Sequence, residues 1–155
     1  RKRTFEAGTK LLLAPGISQV YYGDETARDL TIEGASGDAT LRSNMNWNDV
    51  QNNAETKKLL VHYQKLGKFR ADHPAVGAGV HQMVSSSLYW FTRTFNTDKV
   101  LIGLDLNTGT KEVSVTGIFE NGTKLRDAYS GKTVKVENGK AIINTEFSLV
   151  LFEQI

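Results

Sequence analysis

Gly23-Asp24-Glu25 follows directly on the apolar run Ile17–Tyr22. A carboxylate at the end of a buried strand is well placed for acid–base or nucleophilic chemistry. Neighbouring residues of an extended chain project to opposite faces, so Asp24 and Glu25 converge poorly on one bond. The plainer reading is a turn made by Gly23, with the two acids meeting a cation or backbone donors nearby. Arg42 offers a planar fork of donors suited to hydroxyls or to a carboxylate. Trp47 brings a flat apolar face, for stacking on a ligand or for packing with Met45 beneath a loop. His62, His73 and His81 lack the spacing of metal ligands and read as core or surface residues. Tyr89, Trp90, Phe91 and Phe95 could form a flat binding face, although alternating aromatics more commonly fill a sheet core. Asn121-Gly122-Thr123 fits a glycosylation sequon, and a glycine turn explains it more simply.

Composition narrows the classes. The 155 residues are 39% hydrophobic and 23% charged, as in an ordinary globular protein. A net charge of +2 without a basic block gives no footprint for nucleic acid. There is no cysteine, so disulfides, thiolate metal sites and a cysteine nucleophile are excluded. No apolar run approaches the ~20 residues of a membrane span. The start, Arg1-Lys2-Arg3, has no Met and no signal-like segment after it, and reads as a cut inside a longer polypeptide.

The elements that must position these residues fall into two halves, 1–77 and 78–155. In the first, Phe5, Gly8, Leu11 and Leu12 have helical spacing over Thr4–Leu13, and Pro15-Gly16 stops the helix. Ile17–Tyr22 alternates little, the pattern of a strand buried on both faces. Residues 23–52 form a long polar loop of the kind that is usually functional or disordered. A second helix follows, with Asn52 as its cap and Glu55 in capping-box position. Its stripe is Leu59, Leu60, Tyr63, Leu66 and Phe69, with Lys57, Lys58, Lys65 and Lys68 mostly opposite. Pro74 ends it near Asp72. The second half holds eight candidate strands near 80–85, 88–95, 99–106, 112–116, 124–128, 133–137, 140–144 and 148–153. Turn signals between them predict an antiparallel sandwich or barrel. Asn138-Gly139 predicts a type I′ hairpin turn between Val134–Val136 and Ala141–Ile143.

Four ordered motifs carry a resemblance. "LLLAPGISQVYYGDE" resembles the eighth barrel strand of the α-amylase family of glycoside hydrolases, with the helix before it. "GDATLRSNMNW" resembles the loop that follows, where Arg42, Met45 and Trp47 fall at the family's spacing. "YQKLGKFRADHPAVGAG" resembles the final barrel helix and its exit, and "LRDAYSG" a turn of the C-terminal sandwich. The resemblance implies an α+β fragment: a remnant of a (β/α)8 barrel over 1–77, then an antiparallel β-sandwich of about eight strands over 78–155. It implies a parent that cleaves α-glucans with retention, which needs two carboxylates roughly 5–5.5 Å apart. The family's catalytic Asp, Glu and Asp follow its fourth, fifth and seventh barrel strands, so the resemblance places no catalytic residue in this chain. Asp24, Glu25, Arg42 and Trp47 are left as candidate substrate-side residues of the intact parent, with Tyr21 and Tyr22 in barrel packing. No cofactor or metal is expected here, although the parent could bind calcium through earlier segments. The expected partner is an α-glucan met through the parent, with no nucleic acid and no membrane span. Self-association through the unpaired barrel segment is a further expectation. Two other readings compete with an inactive enzyme fragment: a sugar-binding module working through Tyr89 or Trp90, and a purely structural sandwich.

Overall fold

A computed structural model describes residues 2–155; Arg1, where the reading of a cut polypeptide begins, lies outside the described residues. Two compact units are present, Arg1–Gly67 and Lys68–Ile155.

The first unit is built on two helices. Helix α1 spans Lys2–Leu13 and buries Leu12 and Leu13. Gly8 lies against the Tyr63 ring; a Cβ there would come within 2.6 Å of it, so only glycine allows this approach. Short 3-10 turns at Asp24–Thr26 and Gly37–Arg42 and a six-residue helix α2, Trp47–Asn52, give structure to the long polar loop. Helix α3, Ala54–Asp72, buries Thr56, Leu59, His62, Tyr63, Leu66 and Phe69, one face at i, i+3, i+4 spacing. Asn53, not Asn52, caps it: its Oδ1 accepts from the N–H groups of Glu55 and Thr56, both at 3.0 Å. Asn52 instead donates to Asn48 within α2.

Ile17–Tyr22 corrects the sequence expectation of a buried strand. It pairs with no strand among the described residues, and Ile17 is fully exposed at 102%. Tyr21 and Tyr22 are exposed as well, rather than packed inside. The run has strand composition, but a strand exists only where another backbone completes its ladder.

The second unit begins with the last turn of α3 and a short helix α4, Pro74–Ala78, opened by proline at its first position. Eight strands follow, all antiparallel: β1 Val80–Met83, β2 Tyr89–Phe95, β3 Asp98–Leu104, β4 Gly109–Ser114, β5 Lys124–Asp127, β6 Thr133–Lys135, β7 Lys140–Thr145 and β8 Val150–Gln154. Six form one sheet in the order β1-β2-β3-β8-β5-β6, and β4 pairs with β7. Trp90, Leu101, Val113, Val115, Leu125, Ile143 and Phe152 belong to one core between the sheets. Trp90 stacks on Phe152 at 6.2 Å and is 1% exposed, so it cannot serve as a surface platform for sugar. The predicted Asn138-Gly139 turn is present, with φ of 51° and 70°. It does not join two strands of one ladder, however: β6 pairs with β5 and β7 with β4. The turn leads the backbone from one sheet to the other, held by the Glu137–Lys140 bridge.

No helix among the described residues is long and apolar enough to cross a membrane.

Candidate functional site

The turn at residues 21–29 is organised by a residue that sequence reasoning passes over. Arg28 is 7% exposed. Its Nε donates to Tyr22 O at 3.0 Å, one Nη to Ser43 O at 2.9 Å and the other to Leu41 O at 3.1 Å. Ser43 Oγ also accepts from Arg28 and in turn donates to Asp29 O. The guanidinium lies 4.0 Å from the Tyr22 ring centroid. A single planar fork therefore ties the 3-10 turn Gly37–Arg42 to the tyrosine pair. Gly23 makes this possible: its φ is +91°, and an added Cβ would fall 2.4 Å from Arg28 Nε. A signal is present in the sequence, since Arg28 is the sole lysine or arginine between Lys10 and Arg42.

Asp24 and Glu25 are turned back onto the same turn. Tyr21 N–H donates to Asp24 Oδ2 and Gly23 N–H to Glu25 Oε2, each at 3.0 Å. Thr26 and Asn46, also unremarked in the sequence, fasten α2 to this turn. Thr26 Oγ1 lies 2.8 Å from Asn46 Oδ1, and Asn46 Nδ2 donates to Thr26 O at 3.0 Å. Nearby, Thr31 N–H donates to Asp29 Oδ1 at 2.8 Å, and the hydrogen bonds from Thr31 hold the Asp29 carboxyl below its ordinary range.

Arg42 is exposed and lines an open depression of about 230 Å³ with Tyr21, Asp38 and Leu41. Trp47 is 64% exposed at the start of α2, rather than packed beneath the loop. Arg42 thus shares a wall with Tyr21. Asp24 and Glu25 are not among the residues lining the depression, and each accepts a hydrogen bond from the backbone of its own turn.

The second unit holds a separate polar cluster. His73 Nδ1 lies 2.8 Å from Asp98 Oδ1 and Nε2 lies 2.6 Å from Glu153 Oε2. The other oxygen of each carboxylate is engaged too: Asp98 Oδ2 by Ala75 N–H at 2.8 Å, Glu153 Oε1 by Arg126 Nε at 2.6 Å. With every carboxylate oxygen engaged, this arrangement is a clamp between the start of α4 and strands β3, β5 and β8. Its members are up to 80 positions apart in sequence, which is why no local motif reveals it. No group of three or more potential metal ligands occurs among the described residues.

No family model matches the sequence. It is 41% identical to the periplasmic alpha-amylase of Escherichia coli (strain K12) over 98 residues, which is 63% of this chain and 14% of that protein. It is 30% identical to the beta/alpha-amylase of Paenibacillus polymyxa over 139 residues, 85% of this chain and 10% of that one. In fold it is similar to the crystal structure of an Anoxybacillus alpha-amylase, with a TM-score of 0.66 and 26% identity, covering 97% of this chain and 32% of that one. The chain therefore spans a tenth to a seventh of the length of these two relatives, and a third of the solved structure. Sequence motifs, relatives and fold together place it with the α-amylase family, as the counterpart of the C-terminal region of its members.

Proposed function

We propose that this chain is the closing segment of an α-glucan-cleaving, retaining glycoside hydrolase and that it performs no cleavage by itself. The observation that carries the second part is the posture of Asp24 and Glu25. Each acid accepts a hydrogen bond from the backbone of its own turn. Retention needs two carboxylates facing one bond roughly 5–5.5 Å apart, with one free to attack and the other to give up a proton. Here one oxygen of each acid is drawn to the backbone of its own turn, which supports a structural role for the pair. In this reading the catalytic carboxylates belong to earlier barrel strands of the whole enzyme, residues 1–77 supply the end of its barrel, and residues 78–155 supply its sandwich.

The chain's own contribution would be one wall of the sugar site. Arg42 stands exposed beside Tyr21 at the depression, with Trp47 exposed on the neighbouring helix. A guanidinium serves sugar hydroxyls, and an indole face covers the C–H face of a pyranose. The names of the relatives support an α-glucan as the ligand. The exposed, unpaired run Ile17–Tyr22 supports self-association of the isolated protein, and light scattering that returns a monomer at high concentration removes that part.

The test is direct. Pure 155-residue protein is incubated with soluble starch and maltooligosaccharides, and new reducing ends are counted. No turnover above buffer is expected. Turnover that disappears in Asp24→Asn or Glu25→Gln would overturn the proposal, because it would place the chemistry on these acids.

A further inference from the structure

The tripeptide Glu-Asn-Gly occurs twice, at residues 120–122 and 137–139. Asn-Gly is the sequence most open to spontaneous deamidation, because glycine adds no Cβ to hinder the following nitrogen. In that reaction the glycine amide nitrogen attacks the asparagine Cγ. A bond forms between that nitrogen and Cγ, the Cγ–Nδ2 bond breaks and ammonia leaves. Water then opens the cyclic imide to aspartate or isoaspartate. The step needs no co-reactant beyond water, but it does need the attacking nitrogen to be free of its hydrogen bond.

In the folded protein both attacking nitrogens are engaged, by different means. Gly122 N–H donates to the backbone carbonyl of Val136 at 2.8 Å. Gly139 N–H donates to a side-group oxygen, Asn121 Oδ1, also at 2.8 Å. The two turns are thus fastened to each other, and Val136 N–H adds a third tie to Thr123 O at 2.9 Å. Asn138 itself is exposed, with a left-handed φ of 51° and Gly139 at 70°. A side chain at Gly139 would be strained, since its φ is +70° and a Cβ there would meet Thr116 Oγ1 at 2.4 Å unless that side chain shifts.

We propose that Asn138 is a latent site of spontaneous deamidation, kept closed by the amide group of Asn121. The asparagine of the sequon-like Asn121-Gly122-Thr123 then acts as a latch on the turn opposite. An aspartate at 121 still presents an acceptor oxygen, so deamidation of Asn121 to ordinary aspartate leaves the latch in place. Truncation to alanine opens it.

The experiment follows deamidation at each site by peptide mapping and isoaspartate detection, at mildly alkaline pH, in folded wild type, in Asn121→Ala, in Asn121→Asp and in wild type unfolded by urea. Unfolded protein should deamidate at both sites at similar rates, and folded wild type should be slow at both. Asn121→Ala should speed the loss of Asn138 roughly three- to tenfold over folded wild type, the factor equivalent to one net hydrogen bond. Asn121→Asp should leave Asn138 close to the wild-type rate. Should the alanine variant fail to fold, hydrogen exchange in wild type decides instead: the Gly139 amide must be protected. The inference is overturned if Asn138 deamidates in folded wild type as fast as in urea, if Asn121→Ala leaves its rate unchanged, or if the Gly139 amide exchanges freely.

Discussion

Arg28 ties Tyr22 to Leu41 and Ser43 without a sheet ladder. Three of its nitrogens engage three carbonyls and its plane covers Tyr22, so the turn is fixed from its centre and not from its ends. Gly23 is the residue that admits it, for two separable reasons: a left-handed φ and the absence of a Cβ. Gly16 separates them experimentally. Its φ is +89°, almost the same, but nothing lies within 4 Å of where its Cβ would stand. Gly16→Ala should therefore cost only backbone strain, about 1 kcal/mol. Gly23→Ala adds overlap with Arg28 and breaks part of its fork, for a total of about 2–4 kcal/mol. Urea unfolding followed by circular dichroism measures both. Equal losses at the two glycines would mean that Arg28 is not the organiser of the turn.

At the scale of elements, what is local in sequence is readable. The eight strands fall close to where apolar runs and turn residues put them. Strands β4, β5 and β7 bury every second residue, as half-buried strands do, whereas β2, β3 and β8 are buried in continuous runs. Helix α3 stops at Asp72 as Pro74 requires. Its cap lies one residue later than the capping-box pattern suggests, since Asn52 and Asn53 are chemically identical and only the geometry shows which oxygen reaches the first turn. Asn53→Ala should accordingly cost about 1 kcal/mol of stability and Asn52→Ala only a few tenths, read from denaturant midpoints. What depends on distant partners is not legible. Composition makes Ile17–Tyr22 a strand, but the ladder it needs is absent among the described residues. Asn138-Gly139 is a turn, as its residues demand, yet no local rule says that its two arms serve different sheets. The candidate site shows the same division. Asp24, Glu25, Arg42 and Trp47 stand out by residue type, whereas Arg28 and the His73 clamp depend on carbonyls and carboxylates supplied from elsewhere in the sequence.

At the scale of the whole molecule, each unit holds its own buried titrating group, and the two respond to opposite ends of the pH range. In the first unit His62 is buried, with Nε2 2.9 Å from Thr9 Oγ1 and 3.1 Å from Phe5 O. Burial pushes its imidazole below the ordinary value; the Phe5 carbonyl opposes this and the charge of Lys65 adds to it. In the unfolded state the same group titrates near ~6.5. Acidification through that value protonates the unfolded state while the fold still excludes the proton. Stability of the helical unit therefore falls as pH drops below ~6.5, and goes on falling until the folded group is itself protonated. The sandwich supplies the contrast. Burial, with Asp127 adding to it, raises the Tyr129 phenol to about 12, so the folded group keeps a proton that the unfolded state gives up near ~10. Its contribution is present below ~10 and is lost as pH rises above it. Thermal unfolding followed at the helical circular dichroism band should thus shift downward from about pH 7 to about pH 5, and His62→Gln should flatten that slope. An unchanged slope in the His62→Gln variant would assign the acid response to other groups and remove His62 as the unit's titrating switch.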